Sequence, residues 1–269
     1  MNLNEKRLAV IGAGNIGKIL LERLRAVGVP ADQIVVCDND ADRAQTAAVK
    51  FRVRPVILTD ETVCEADAIL VAVSPKSVAE VIHSLADRLL PGCLVISFAA
   101  AVPLVKIEEL LHPGTPVARI MPNAPSLIGQ GMNPVAYGAS VTPKARELVE
   151  AILAALGETL VVRDDQMNWC VGLSGASIRS LLPTLEGMTH AVVEAGLSET
   201  DARRVAAQVM LGTAALALKT DLTFEQIKAL TPMETVDEAA LDQLFFNAAQ
   251  AAQEKITSAQ RKLWPELIV

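Results

Sequence analysis

Near its start the chain carries a glycine pattern whose spacing has a chemistry, Gly12-Ala13-Gly14-Asn15-Ile16-Gly17. Gly12 permits a tight bend, Gly14 lets a phosphate approach the backbone, and Gly17 lets a following helix pack closely on the preceding strand. A helix opening there turns its free amides and the positive end of its dipole, including the amides of Asn15 and Ile16, toward an anion. The apolar run Leu8–Ile11 precedes the pattern and helical periodicity follows it to about Val27, so the context the motif requires is present. The plain alternative is a glycine turn that only joins strand to helix. Asp38 ends the next apolar run, Ile34–Cys37, about 20 residues past Gly17, where an acid bonds a ribose 2′-hydroxyl and repels a 2′-phosphate. This favours NAD over NADP as the cofactor. Against it, Arg43 could swing toward a 2′-phosphate, and Asp40 competes for the acid's role.

Those residues need a scaffold of alternating strands and helices. From Arg7 to about Val162, short apolar runs alternate with longer helical segments: Leu8–Ile11, Ile34–Cys37, Ala68–Val73, Leu94–Ser97, Val117–Met121 and Thr159–Val162. Several are continuously apolar, as in parallel strands covered on both faces, which predicts a doubly wound sheet. Thr142 caps a helix that opens at Pro143 and runs to Leu156, where Gly157 stops it. After Asp164 the strand-like runs give way to Ala- and Leu-rich helical pattern over Asp165–Ala195, Glu199–Thr220, Phe224–Ala229 and Thr235–Ala259. Gly196 marks a stop and Ser198 a start. The expected architecture is an α/β Rossmann domain over residues 1–163, followed by an all-α dimerisation domain over 164–269. Stretches such as Val205–Leu218 are too apolar for one domain to cover, which predicts a homodimer or a higher oligomer of dimers.

Composition excludes other classes. A net charge of −7 and 3% aromatic residues leave neither the basic surface nor the stacking rings of a nucleic-acid binder. No apolar stretch reaches the ~20 residues that span a bilayer, so no membrane partner is expected. Cys37, Cys64, Cys93 and Cys170 lie far apart, with no CxxC pair and no histidine cluster. They predict no metal site and read as buried thiols in a cytoplasmic protein.

Three more segments close strands, where ligands bind in open α/β sheets. They are Val71-Ala72-Val73-Ser74-Pro75-Lys76, Ile96-Ser97-Phe98-Ala99-Ala100-Ala101-Val102, and Arg119-Ile120-Met121-Pro122-Asn123-Ala124-Pro125 with Gly129 and Gly131. In order and spacing the chain resembles the pyrroline-5-carboxylate reductase family, whose patterns there read roughly VKPQ, SxAAG and RxMPNTPxxxGxG. The likeness covers nearly the whole chain, including Leu173-Ser174-Gly175. The resemblance implies hydride transfer from a nicotinamide, of NAD or NADP, to the imine carbon of a small cyclic imino acid, with partner helices interleaved at the active site. It implies that Val73, Ser74, Pro75, Lys76 and Ala99 flank the nicotinamide side and that Asn123 lies below it.

The substrate half departs from the family. Ser174-Gly175-Ala176-Ser177-Ile178-Arg179-Ser180 stands for SGSGPAY, and Leu230-Thr231-Pro232-Met233-Glu234-Thr235-Val236 for a segment like TSPGGTT. A glycine loop can cradle a carboxylate, whereas Glu234 repels it. Thr235 takes the family threonine's place only by a one-residue shift. Arg179 either compensates as a carboxylate clamp or is a dimer-interface charge. Thr235 and Arg179 are thus the catalytic candidates, and pyrroline-5-carboxylate reduction to proline is the expected reaction. One alternative is a non-catalytic or altered-substrate NAD-binding paralogue. Another is a hydroxyacid dehydrogenase, which is disfavoured because no lysine base occurs between Lys144 and Lys219.

Overall fold

The computed structural model describes residues 1–267. Its centre is an eight-stranded sheet: β1 (Leu8–Ile11), β2 (Ile34–Cys37), β3 (Arg54–Pro55), β4 (Ala68–Val71), β5 (Leu94–Ser97), β6 (Val117–Ile120), β7 (Gly131–Tyr137) and β8 (Gly157–Val161). The spatial order is β3-β2-β1-β4-β5-β6-β7-β8. Pairing is parallel throughout except at β6–β7, which is antiparallel.

Every residue of β1, β2, β4, β5 and β6 is buried, as the continuous apolar runs require. Alternate side chains feed two cores. Leu8, Val10, Ile34, Leu70 and Ile96 face α1 (Asn15–Ala26), α2 (Ala41–Phe51) and, from farther along the chain, a helix over Pro143–Leu156. Ala9, Ile11, Val35, Val71 and Val95 face α3 (Glu61–Cys64), α4 (Val78–Ala86) and α5 (Leu104–Glu109). The Pro143–Leu156 helix is α6, capped as expected by Thr142, whose hydroxyl accepts the Ala145 amide.

The sequence reading missed β3 and β7, and for a physical reason. β3 is two exposed edge residues ending in Pro55, and β7 contains Gly131, Asn133 and Pro134, residues depleted in strands. Tertiary contacts stabilise β7. Buried Asn133 accepts a hydrogen bond from Ser126 Oγ at 2.8 Å and donates to the Glu158 carbonyl at 3.0 Å. Smaller corrections concern ends, since β4 stops at Val71, β6 at Ile120, and β8 covers Gly157–Val161.

The chain divides into two compact units, one of Met1–Gly175 together with the chain from Ala251 onward, the other of Ala176–Gln250. The expected single helix over Asp165–Ala195 is instead a 3₁₀ turn (Asp164–Gln166), α7 (Met167–Val171), a π-turn (Gly172–Ala176) and α8 (Ser177–Glu194). Gly172 and Gly175 supply the loose backbone for the π-turn. In the second unit α8 packs on α9 (Glu199–Lys219), and Ser198 caps α9 by accepting the Asp201 amide at 3.1 Å. After α10 (Phe224–Ala229) comes α11 (Glu238–Leu263), which starts later than Thr235 because Asp237 is the residue that caps it, accepting the Ala240 amide at 2.9 Å. Within the first unit, the end of α11 is tied back by Asn168, which donates to Gln260 at 2.9 Å, and Lys106 pairs with Glu266 at 2.9 Å. Among the described residues no helix is long and apolar enough to cross a membrane.

Candidate cofactor site and the loops around it

Going outward from β1, the sheet order runs to β2 and β3 on one side and to β4 on the other, so the strand order reverses between β1 and β4. An open α/β sheet leaves a crevice there, at the carboxyl ends of the strands. A cavity of about 660 Å³ occupies this place, lined by Gly12, Gly14, Asp38, Arg43, Val73 and Ser74, with Ile57, Leu58 and Val81 as an apolar wall. The glycines fit it. Gly12 has φ +103°, and a Cβ there would lie 2.6 Å from the Ala72 carbonyl oxygen, while one on Gly17 would overlap the Gly12 carbonyl. A Cβ on Gly14 would meet nothing within 4 Å, so that face of the turn is open to a ligand. Asn15 is the exposed first residue of α1, and Ile16 is half-buried against the core.

Asp38 is bound into the turn around it. Its carboxylate is 5% exposed, with Oδ2 accepting the Ala13 amide at 2.7 Å and Oδ1 accepting the Asp40 amide at 3.0 Å. Arg43 pairs with Asp38 at 3.4 Å and with Asp40 at 3.2 Å, so the guanidinium is already neutralised by two acids. The acid therefore braces the glycine turn from β2. Burial, and then the nearby Asp38 charge, push the Cys37 thiol up to about 11. Burial likewise pushes the Cys93 thiol up to about 12. Cys37, Cys64 and Cys93 are buried, but Cys170 is only half-buried, which corrects the expectation of four buried thiols.

Of the remaining candidates, Val73 and Ser74 line this cavity. Ser74 Oγ lies 2.9 Å from Ser77 Oγ, whereas Pro75 and exposed Lys76 lie in the next turn, outside the lining. Ala99 is buried, its amide donating to Ser97 Oγ at 3.3 Å. Ala101 in the same loop holds φ +61°, a left-handed conformation that a glycine adopts more easily. The Asn123 carboxamide is engaged at both ends, donating to the Ser174 carbonyl at 3.1 Å and accepting the Met132 amide at 3.2 Å. Arg179, in the first turn of α8, and Thr235, in the stretch before α11, are both exposed and both belong to the Ala176–Gln250 unit. Met233 beside Thr235 is 77% exposed.

Sequence reasoning overlooked Ser77, Glu80, Val81 and Ser84, which line the cavity from the N-cap of α4 and along the length of that helix. Their spacing of three or four places one helix face toward a ligand, a signal that was readable. Ile57 and Leu58 gave no such signal, because the edge strand before them was itself unrecognisable.

Comparisons with known proteins add to this geometry. Residues 7–101 match the family model "NADP oxidoreductase coenzyme F420-dependent", and residues 164–261 match "Pyrroline-5-carboxylate reductase dimerisation". The chain is 32% identical to a pyrroline-5-carboxylate reductase of Pseudomonas aeruginosa, over 98% of each chain. It is also 32% identical to one of Mycobacterium tuberculosis, over 97% of this chain and 98% of the other. A solved pyrroline-5-carboxylate reductase of Coxiella burnetii superposes with a TM-score of 0.80 at 26% identity, covering 94% of this chain and 98% of that one. A Plasmodium falciparum pyrroline carboxylate reductase with NADP bound superposes at 0.83 with 19% identity, over 96% and 99% of the two chains, and extends the likeness in fold.

Proposed function

The chain belongs to the pyrroline-5-carboxylate reductase family, and from that premise we propose that it reduces a small cyclic imino acid, pyrroline-5-carboxylate to proline, with NADH as the favoured cofactor. The observation that carries the reading is the open face of Gly14 at the mouth of the 660 Å³ cavity, framed by Asp38 at the ribose position. A pyrophosphate fits against the free amides at the start of α1, and an adenosine against Ile57, Leu58 and Val81. When bound, a dihydronicotinamide supplies the hydride. A protonated iminium already carries its positive charge, so the chain's own residues need mainly to position it and exclude water.

The cofactor residues are Gly12, Gly14, Asn15, Ile16, Gly17, Asp38, Val73, Ser74, Pro75, Lys76, Ala99 and Asn123, with Asn123 acting through its two bonds to hold neighbouring loops. NADH is favoured over NADPH because Asp38 and Glu80 make the lining acidic and Arg43 is already paired with Asp38 and Asp40, so the cavity lining, among the described residues, offers a 2′-phosphate no unpaired cation. Residues 1–163 form the nucleotide domain, and residues 164–269 the dimerisation and substrate domain of a cytoplasmic homodimer or oligomer of dimers. In that domain Arg179 clamps the substrate carboxylate and Thr235 stands near its nitrogen. Oxidation of NADH or NADPH by the purified protein with pyrroline-5-carboxylate tests this reading, and a piperideine carboxylate serves as the second imine. No oxidation with either imine sinks it.

A second reading is favoured by Met233 and Glu234, which occupy places where the family has glycines. In this reading the chain binds NAD(H) but takes another imine or none. Tight NADH binding by calorimetry without turnover of pyrroline-5-carboxylate would select it.

A further inference from the structure

Arg119 is the largest of the fully buried side chains, 1% exposed on β6, in a sheet whose other central positions are almost all apolar. Its Nη1 donates to Asp164 Oδ1 at 2.8 Å, while Nε and Nη2 find no partner among the described residues. Burying a guanidinium is costly, and an apolar side chain of similar size would fill the place with less desolvation. The pair is therefore poorly explained as a stabilising contact. Its connections suggest another role.

The second oxygen of Asp164 accepts the amide of Leu104 at 2.9 Å. Leu104 is the first residue of α5 and closes the loop Phe98–Pro103 that follows β5. At the loop's other end Ser97 Oγ accepts the Ala99 amide, and Ser97 is the ladder partner of Arg119. Arg119 thus stands beside the entry of the loop and, through Asp164, fixes its exit. Between these two pins sits Ala101 at φ +61°, a conformation that persists only where surrounding contacts over-determine it. Asp164 also opens the stretch that leads through α7 to Ser174, whose carbonyl receives the Asn123 carboxamide. One buried cation therefore bonds, through Asp164, to the loop that carries Ala99 and, along the chain from Asp164, leads to the Ser174 carbonyl that holds Asn123, and the proposed function assigns both Ala99 and Asn123 to the cofactor.

We propose that Arg119 and Asp164 are a positioning couple that holds the Phe98–Pro103 loop in its strained, working conformation. The inference rests on the reading that this loop faces the nicotinamide. The couple fixes where the loop's backbone lies and touches neither cofactor nor substrate.

The test uses the full-length protein and the variants Arg119→Met, Asp164→Ala and Arg119→Lys, with two independent readouts. Hydrogen exchange needs no activity. The amides of residues 98–102 and 104 should exchange about tenfold faster or more in Arg119→Met and Asp164→Ala, while those of β1 and α1 stay protected. Arg119→Lys, which keeps the charge, should restore most of the protection. In steady-state kinetics both disruptive variants should lose about tenfold or more in kcat with NADH affinity within about threefold, since only the nicotinamide end is displaced. The double variant Arg119→Met with Asp164→Ala should be no worse than either single one, because the couple acts as a unit. Unchanged exchange at 98–102 and 104 overturns the proposal whether or not the wild type turns over an imine. Faster exchange with unchanged kcat, or additive losses in the double variant, also overturns it. A wild type inactive on every imine counts against the proposed function, and the exchange readout still decides the couple.

Discussion

The two units of the chain bury their apolar residues very differently. In the nucleotide unit five strands are buried at every position, and two cores flank the sheet. In the Ala176–Gln250 unit, buried residues among the described ones are confined to Ala202 and Ala206 of α9. Leu211, Leu218, Phe224, Leu244 and Phe246 all stand exposed, and each is worth about 1.5–3 kcal/mol when covered. A sheet closes its own core, whereas a set of long helices with apolar residues on several faces needs a second surface. This contrast gives the physical meaning of a dimerisation domain at residues 164–261.

The largest effects are expected where the nucleotide unit is most tightly built. Gly17→Ala should cost about 3 kcal/mol through the clash with the Gly12 carbonyl and abolish cofactor binding, seen as a lower melting temperature and a flat calorimetric titration. Gly14→Ala should leave the melting temperature of the free protein unchanged but weaken NADH about tenfold or more, because its added methyl meets only the ligand. Equal affinity in Gly14→Ala would end the reading of that face as a phosphate cradle. Next in size, Leu211→Glu on exposed α9 should shift the sedimentation profile from dimer toward monomer, and an unaltered dimer would place the interface elsewhere.

Restoring glycine at Met233 and Glu234 together should raise kcat/KM for pyrroline-5-carboxylate about tenfold, equivalent to about 1.4 kcal/mol. No gain would separate that loop from substrate recognition. Ala101→Gly should raise stability by about 1 kcal/mol in thermal unfolding by relieving the left-handed backbone. The last effect is confined to alkaline solution. The folded state holds the Cys37 proton up to about 11, above the ordinary 9.0, so this contribution is fully present below pH 9 and is lost as pH rises through 11. Cys93 extends the loss to about 12. Chemical unfolding of Cys37→Ala against the wild type across this range checks the sign.

How much of this was legible in the chain follows the same contrast. β1, β2 and β5 stand where their apolar runs end, because a strand covered on both faces has one composition available to it. The glycine turn was equally readable, since each glycine answers a steric demand of strand and helix around it. β7 was not legible, because Gly131, Asn133 and Pro134 disfavour a strand on their own and are held in one by pairing with β6 and β8, and Asn133 by its bonds to Ser126 and Glu158. Asp38 was placed at the ribose position by spacing alone, but its bond to the Ala13 amide belongs to the assembled turn.

The sequence by itself determined the alternation of strand and helix, the cofactor turn, the change to a helical second half and the family likeness, all of which rest on local periodicity and short motifs. Only the tertiary structure decided that Arg119 is buried against Asp164, that Asp164 reaches the Leu104 amide, and that Ala101 is held left-handed. The two bonds join residues 45 and 60 positions apart, and no periodicity spans such distances until the sheet has formed and desolvated the charges between its layers.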